Sequence, residues 1–260
     1  MAYETLMTSA PAEHVLQVTL NRPQAANAFN TQMALELGEL FQGLADSPHR
    51  CVILTGAGER AFCAGADLKE RDGMSDEAWE AQHRVFEAMG QAMLAAPMPV
   101  IGAINGAAFG GGCEIALLCD FLYAAETARF ALTEVTLGIM PGLGATQTLS
   151  RAAGTRRAKE AMLTGRPFSA RDAHEWGVVS RVCAPDRLMQ ETVETAARIA
   201  ANAPLAVRAI KHAVDSGAGH SLAHGMQIEL EQYYRLFPTQ DRVEGIRAFN
   251  EKRRPDFRGA

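Results

Sequence analysis

The sequence has no cysteine pattern that would indicate a disulfide framework. None of its five cysteines forms a Cys-x-x-Cys pair, their number is odd, and several stand in apolar runs. Such usage is typical of a reduced, cytoplasmic protein with buried thiols. The histidines are equally uninformative: His220 and His224 could share a helix face, but no third ligand is placed beside them, so we predict no metal site.

No segment has the pattern of a targeting peptide or a membrane span. The N-terminal residues lack a basic start followed by an apolar stretch, so we expect no signal or transit peptide. The most apolar stretch, residues 100–125, is interrupted by Asn105, Glu114, Asp120 and several glycines, which disfavours insertion into a membrane. Since the net charge is −5 and the basic residues are dispersed, nucleic acid is not an expected partner.

Three common catalytic or nucleotide-binding loops are also missing. Residues 56–61 match the G-x-G-x-x-A dinucleotide pattern, but residues 63–65 break the helix that this motif requires. No phosphate-loop lysine follows a glycine run, and no G-x-S-x-G elbow is present. Nicotinamide binding, nucleoside triphosphate binding and serine-hydrolase chemistry are therefore disfavoured.

The chain does contain alternating strand and helix patterns. Apolar segments predict strands at 14–20, 51–55, 100–104, 121–125 and 178–182. Helical spacing predicts helices at 31–44, 75–94, 185–202 and from 204 onward. This order predicts an α/β fold with parallel strands, followed by an all-helical region. An apolar face in that region suggests oligomerisation and comprises Leu222, Met226, Leu230, Tyr233, Tyr234 and Phe237.

Two glycine-containing loops could present backbone amides to a ligand. Gly110-Gly111-Gly112 stands between a predicted strand and a short helix, where free N–H groups at the helix start can hold a negative oxygen. Close packing of backbone against backbone explains the same glycines equally well. The loop from Ala64 to Asp67 also has small residues, so the two loops together could form an oxyanion hole.

Two glutamates stand in strongly apolar surroundings. Glu114 directly follows the triple glycine, and Glu134 lies between the apolar runs 130–132 and 135–137. A buried carboxylate has a raised proton affinity, which suits acid–base catalysis near neutral pH. For a single glutamate a salt bridge or an outward orientation is the better explanation, whereas two beside glycine-bearing loops favour a catalytic role.

These motifs together resemble the enoyl-CoA hydratase/isomerase (crotonase) family over nearly the whole chain. The matching segments are Asn21-Arg22-Pro23 with Asn27-Ala28-Phe29, Phe62 to Leu68, Asn105 to Glu114, Glu134 with Gly138 to Gly142, and Thr164-Gly165-Arg166. The resemblance implies a crotonase-like spiral of repeated ββα units with a C-terminal helical region. It divides the chain into a catalytic core, residues 1–200, and a helical oligomerisation region, residues 201–260.

The resemblance also implies an activity, the hydration of a 2-trans-enoyl-CoA to a 3-hydroxyacyl-CoA in fatty acid metabolism. Glu114 would activate the water, Glu134 would protonate Cα, and the amides of Ala64 and Gly111 would bind the thioester oxygen. No separate cofactor is implied, since coenzyme A is part of the substrate. The implied substrate-binding residues are Ala26, Ala64, Gly65, Ala66, Asp67, Leu68, Gly142, Phe249 and Lys252. The implied assembly is a homotrimer or a homohexamer made of two trimers.

Some positions depart from the pattern that the family shows. Thr133 precedes Glu134 where many hydratases have proline, Ala145 replaces a common glycine, and the run from Leu68 to Arg71 is similar to the methylglutaconyl-CoA hydratase branch. The alternatives are therefore a branched-chain hydratase, an isomerase, a dehydratase or a thioester hydrolase. A non-catalytic RNA-binding or scaffold protein on this fold is a further alternative, although the two glutamates favour hydration.

Overall fold

The computed structural model describes residues 3–260, whose strands form two sheets. The six-stranded sheet has the order β1-β2-β3-β5-β7-β10 and the four-stranded sheet the order β4-β6-β8-β9. The strands are β1 (Leu6–Ala12), β2 (Val15–Leu20), β3 (Cys51–Gly56), β4 (Ala61–Cys63), β5 (Val100–Ile104), β6 (Ala107–Phe109), β7 (Phe121–Ala125), β8 (Arg129–Ala131), β9 (Phe168–Ser169) and β10 (Arg181–Cys183).

The chain passes repeatedly from the large sheet to the small one. β3, β5 and β7 lie side by side in parallel, and each is followed within a few residues by a strand of the small sheet, namely β4, β6 and β8. These short strands are also parallel to one another. A helical segment follows β4, β6 and β8 in turn, so the ββα unit repeats along a spiral, as the resemblance implied.

Within the described residues, eleven α-helices surround the sheets or extend beyond them. They are α1 (Thr31–Gly43), α2 (Leu68–Arg71), α3 (Asp76–Leu94), α4 (Gly111–Leu117), α5 (Ala145–Ala153), α6 (Thr155–Thr164), α7 (Ala170–Glu175), α8 (Leu188–Ala200), α9 (Pro204–Gly217), α10 (Leu222–Arg235) and α11 (Gln240–Asn250). α1 packs on α3, and α8 packs on β2, β3 and β5. No helix within residues 3–260 is both long and apolar enough to cross a bilayer.

The central strands are buried on both faces, which explains their sequence pattern. All residues of β3 and β5 are buried, so they are continuous apolar runs rather than alternating ones. The large side chains in the core include Phe29, Phe41, Phe62 and Phe86. All five cysteines are free and buried in the same interior.

Two asparagines hold the corner where β3 leaves the large sheet. Asn105 accepts a hydrogen bond from the Gly56 amide at 3.1 Å and donates to the carbonyls of Gly56 and Gly58. Asn27 is fully buried, with a φ of 54°, and donates to the Ala61 carbonyl at 2.9 Å. Side-chain amides thus satisfy backbone groups that no strand partner reaches at this corner.

The predicted elements agree with the structure best where strands are long. The strands predicted at 100–104 and 121–125 are confirmed, and the helix predicted at 31–44 is α1 within one residue. The strand predicted at 178–182 is wrong in position, since β10 starts only at Arg181. Val178 and Val179 are buried like strand residues, but they belong to the loop that precedes β10. The helix predicted from 185 begins at Leu188. β1, β4, β6, β8 and β9 were not predicted.

Candidate active site

A cavity of about 510 Å³ lies where α4, α2 and α3 approach the turn that begins at Glu134. Both glutamates and both glycine loops line it. The remaining wall is largely apolar and includes Phe29, Trp79, Phe86, Leu137, Ile139 and Met140. The two carboxyl groups therefore share one enclosure with candidate oxyanion amides, which is the arrangement that acid–base chemistry on a carbonyl compound needs.

Glu114 is held firmly by backbone amides. It stands in the first turn of α4 and is 3% exposed. Its carboxylate accepts hydrogen bonds from the amides of Leu143 at 2.7 Å, Gly142 at 3.2 Å and Ala145 at 3.2 Å. Burial raises the pKa of Glu114, and these three amides act against the rise because they favour the ionised form.

Glu134 is buried without such support. It is 7% exposed and begins a short 3-10 turn, and neither of its carboxyl oxygens has a hydrogen-bond partner within residues 3–260. Burial raises its pKa to about 7, and the nearby charge of Glu114 adds to the rise. Its own backbone amide acts in the opposite direction without forming a hydrogen bond to the carboxyl. A group with this pKa can both give and take a proton near neutral pH.

The two glycine loops touch each other at the base of the cavity. Gly65 has a φ of 103°, and a Cβ built there would lie 2.9 Å from the Phe109 carbonyl oxygen and 3.5 Å from the Gly111 nitrogen. A Cβ on Gly111 would lie 2.7 Å from the Phe29 ring. Because side chains cannot be accommodated, these glycines allow the two backbones to approach and leave the first amides of α4 open to a ligand.

The structure corrects one of the two predicted oxyanion donors. Ala64 lines the cavity, but its amide donates to the Ala26 carbonyl at 3.1 Å and is therefore occupied. The Ala66 amide has no acceptor in the described chain, and it lies 3.9 Å from the position that a Gly111 Cβ would take. Successive amides of an extended segment point in opposite directions, so the Asp67 amide bonds Phe29 while that of Ala66 faces the cavity.

The other predicted binding residues divide into two groups. Gly65, Ala66, Leu68 and Gly142 line the cavity together with Ala64 and Gly111. Ala26, Asp67, Phe249 and Lys252 do not. Phe249 is 83% exposed at the end of α11, and Lys252 follows it with a φ of 55°, so within one chain the structure does not bring either to the cavity.

Asp67 has a structural explanation. Its carboxylate pairs with Arg22 at 2.8 Å and caps α2 by accepting from the Lys69 amide at 3.1 Å. Burial acts to raise the pKa of Asp67, but these partners outweigh it and lower the pKa below its usual value. Arg22 also donates to the Ala28 carbonyl, so the pair ties the first motif to the glycine loop.

Helices α2 and α3 contribute a wall of the cavity that the sequence did not predict. Arg71, Trp79, His83 and Phe86 all line the cavity. His83 contacts the loop whose amides donate to Glu114, since its ring lies 2.6 Å from the position that a Gly142 Cβ would take. The spacing of positions 79, 83 and 86 on a helix was the available signal, but helical spacing equally describes an ordinary core face.

Comparison with known proteins shows which family has this fold. The family model described as enoyl-CoA hydratase/isomerase matches residues 11–260. The chain belongs to the enoyl-CoA hydratase/isomerase family. A crotonyl-CoA hydratase of Syntrophomonas wolfei is 40% identical to this member of the family over 99% of each chain.

Two enoyl-CoA hydratases, one of them a solved structure, are also similar to this chain over most of its length. The mitochondrial enoyl-CoA hydratase of Pongo abelii is 38% identical, over 93% of this chain and 82% of that protein. A solved structure of an enoyl-CoA hydratase from Bacillus anthracis superposes with a TM-score of 0.97 at 43% identity, covering 99% of this chain and 100% of that one. The spiral fold of the family is thus present over nearly all of this chain.

Proposed function

We propose that this protein hydrates 2-trans-enoyl-CoA thioesters to 3-hydroxyacyl-CoA, as a hydro-lyase. The observation that carries the proposal is the buried, unpaired carboxyl of Glu134 beside the amide-bound carboxylate of Glu114, in one cavity with two open backbone amides. The names of the relatives, which include a crotonyl-CoA hydratase, support the same reaction.

The thioester carbonyl oxygen binds to the amides of Ala66 and Gly111. Neither amide has an acceptor in the described part of the chain, and both stand at the base of the cavity. Charge that develops on this oxygen during the reaction is stabilised by the two donors and by the N-terminal end of α4. Activation of the thioester in this way makes Cβ electrophilic.

The two glutamates divide the proton transfers between them. Glu114 accepts a proton from water as the water oxygen bonds to Cβ, because three amides favour its ionised form. The electron pair of the double bond moves to the thioester oxygen, and the resulting enolate collapses as Cα takes a proton from Glu134. A pKa of about 7 leaves Glu134 partly protonated at neutral pH, which suits this role.

We also propose an oligomeric state and a cellular location for this protein. The reaction consumes only water, so no cofactor is required beyond the coenzyme A of the substrate. We propose a homotrimer or a homohexamer of two trimers, supported by apolar side chains of α10 that are exposed in the single chain, including Leu222, Met226 and Tyr234. Phe249 and Lys252 would reach the coenzyme bound to a neighbouring subunit. A cytoplasmic location is part of the same proposal.

Replacement of Glu134 tests the reaction. In Glu134→Gln the side chain keeps its shape but cannot donate a proton as an acid, so turnover of crotonyl-CoA should fall about 10²- to 10⁴-fold while affinity for coenzyme A is kept. Turnover is measured from the loss of the enoyl-thioester absorbance. Glu126→Gln, which makes the same change at an exposed position, is the control. Undiminished turnover in Glu134→Gln would refute the catalytic role.

A further inference from the structure

The loop that donates to Glu114 has little backbone support of its own. This donor loop, residues 140–143, lies between the 3-10 turn at Glu134 and α5, and its backbone forms no hydrogen bond to other backbone groups within residues 3–260. Its amides donate instead to the Glu114 carboxylate, from Gly142 at 3.2 Å and from Leu143 at 2.7 Å. The direction of these two amides therefore depends on the side chains that pack against the donor loop.

Helix α3 packs against the donor loop at two positions. A Cβ built on Gly142 would lie 2.6 Å from Cε1 of His83 and 3.1 Å from Nε2, so the His83 ring lies directly against Gly142. One residue later, Leu143 lies beside Gly90, since a Cβ built on Gly90 would be 3.8 Å from Leu143 Cδ2. The donor loop is thus held between α3 and the carboxylate of Glu114.

The position of the His83 ring is set by α3 itself. The helix is anchored by Phe86 and Met89, which are buried in the core. Nε2 of His83 lies 3.4 Å from Oε1 of Glu87, which is one turn later on the helix and does not line the cavity. This geometry favours a supporting role for the ring over proton transfer to a substrate.

We propose that His83 is a positioning residue, whose ring holds the donor loop so that the amides of Gly142 and Leu143 point at the Glu114 carboxylate. The inference rests on the proposed hydration for the role of Glu114 as the base. Without the ring the donor loop can move, its hydrogen bonds lengthen, and the ionised form of Glu114 is less stabilised. The pKa of Glu114, which burial already raises, then rises further.

Two substitutions of His83 test the inference. In His83→Ala the carboxyl of Glu114 should protonate about one pH unit higher than in the unaltered protein. Because Glu114 must be ionised to accept a proton, the acid limb of kcat/KM for crotonyl-CoA should move to higher pH by the same amount. The value at neutral pH should fall roughly 10- to 10²-fold, since the base is misplaced. In His83→Phe, which keeps a ring, all three quantities should stay close to those of the unaltered protein.

The titration of Glu114 can be measured without turnover. Infrared absorption follows the protonated carboxyl group, and the difference from Glu114→Gln assigns the signal. His212→Ala makes the same change at an exposed position of α9 and should leave the titration as it is. Both variants at position 83 remove the same imidazole, so an effect of its charge would be equal in the two. The charged or titratable side chains that line the cavity with Glu114 are Arg71, Glu80, His83 and Glu134.

The possible results separate the inference from the function on which it rests. A Glu114 titration in His83→Ala that matches the unaltered protein overturns the inference. An equal shift in His83→Phe also overturns it, because the imidazole and not the bulk of the ring then acts on Glu114. So does a loss of butyryl-CoA affinity in His83→Ala as large as the loss of kcat/KM, since His83 then contacts the substrate. Where the titration shifts in His83→Ala alone but the unaltered protein does not hydrate crotonyl-CoA, the inference stands and the proposed hydration fails.

Discussion

Glu114 and Glu134 are chemically identical residues that their surroundings make different. Three backbone amides donate to the carboxylate of Glu114, whereas the carboxyl oxygens of Glu134 have no hydrogen-bond partner in the part of the chain that the structure describes. Burial raises the pKa of both carboxyl groups, but only at Glu114 do three amides act against the rise by favouring the ionised form. We propose that this difference in hydrogen bonding makes Glu114 the base and Glu134 the acid of the reaction.

The raised pKa of Glu134 predicts how activity depends on pH. Its proton is needed for transfer to Cα, and the protonated fraction falls as pH rises through about 7. We expect kcat/KM for crotonyl-CoA to decline above neutral pH, by roughly tenfold per pH unit once the group is ionised. The measurement is a pH–rate profile of the unaltered protein. In Glu134→Gln this alkaline decline should be missing from the residual rate, and its persistence would assign the ionisation to another group.

At the scale of residues, the sequence predicted side chains that stand in unusual surroundings. It did not predict residues whose role depends on the direction in which a backbone amide or a side chain points. Glu114 and Glu134 stood out because charges are rare in apolar runs. The choice between the amides of Ala64 and Ala66 depends on the register of the bridge between Phe29 and Ala66, a contact across 37 positions that no local pattern shows. The cavity wall that Trp79 and Phe86 contribute was equally hidden, because it depends on which side of α3 meets the glycine loops.

At the scale of elements, α4 depends on a backbone contact with β4. A Cβ on Gly112 would lie 2.1 Å from the carbonyl oxygen of Cys63, so no side chain fits between the helix and the strand. Both interpretations of the triple glycine therefore apply: Gly111 leaves an amide open, and Gly112 permits packing.

This contact predicts a large effect of a single methyl group. Gly112→Ala should lower the free energy of unfolding by about 3 kcal/mol or more, because backbone on both sides must move. The matched control is Gly43→Ala at the end of α1, where φ is −72° and an added Cβ would have no atom of the described chain within 4 Å other than its neighbours and the backbone of its own helix. There the change should be neutral or stabilising by up to about 1 kcal/mol. Chemical denaturation measures both, and equal stabilities would contradict the packing argument.

Short strands explain most of the fold that the sequence did not predict. β4, β6 and β8 have three residues each, which is too few for a periodic pattern to be distinguished from a loop. Their positions depend on β3, β5 and β7, because each of these strands is followed within a few residues by a strand of the small sheet. Long elements such as α3 could be predicted because Ser75 caps the helix and its apolar face is continuous.

At the scale of the whole molecule, the C-terminal helices are the least covered part of the chain. In α9 no residue is buried, and in α10 only Gln232 is. Leu222 and Met226 lie one turn apart on α10 and are 82% and 53% exposed. A contiguous group of exposed apolar side chains is typical of a surface that contacts another subunit.

The proposed assembly can be tested by placing charge on this face. Leu222→Glu combined with Met226→Glu should convert the oligomer to smaller species in light scattering, because buried charges without partners oppose association. A control that exchanges the two residues, Leu222→Met with Met226→Leu, keeps the apolar surface and should retain the mass. If the doubly charged variant retains the mass of the unaltered protein, the subunit interface lies on another surface.

The burial of the cysteines has a consequence for the chemical durability of the catalytic centre. Cys63 lies directly behind the loop that carries the Ala66 amide, and burial raises its pKa to about 12, while Cys113 precedes Glu114 and its pKa is raised for the same reason. Peroxides and electrophiles attack the thiolate. Because these sulfur atoms are buried and their pKa values are raised, we expect the backbone around the two glutamates to resist oxidative inactivation while the protein remains folded.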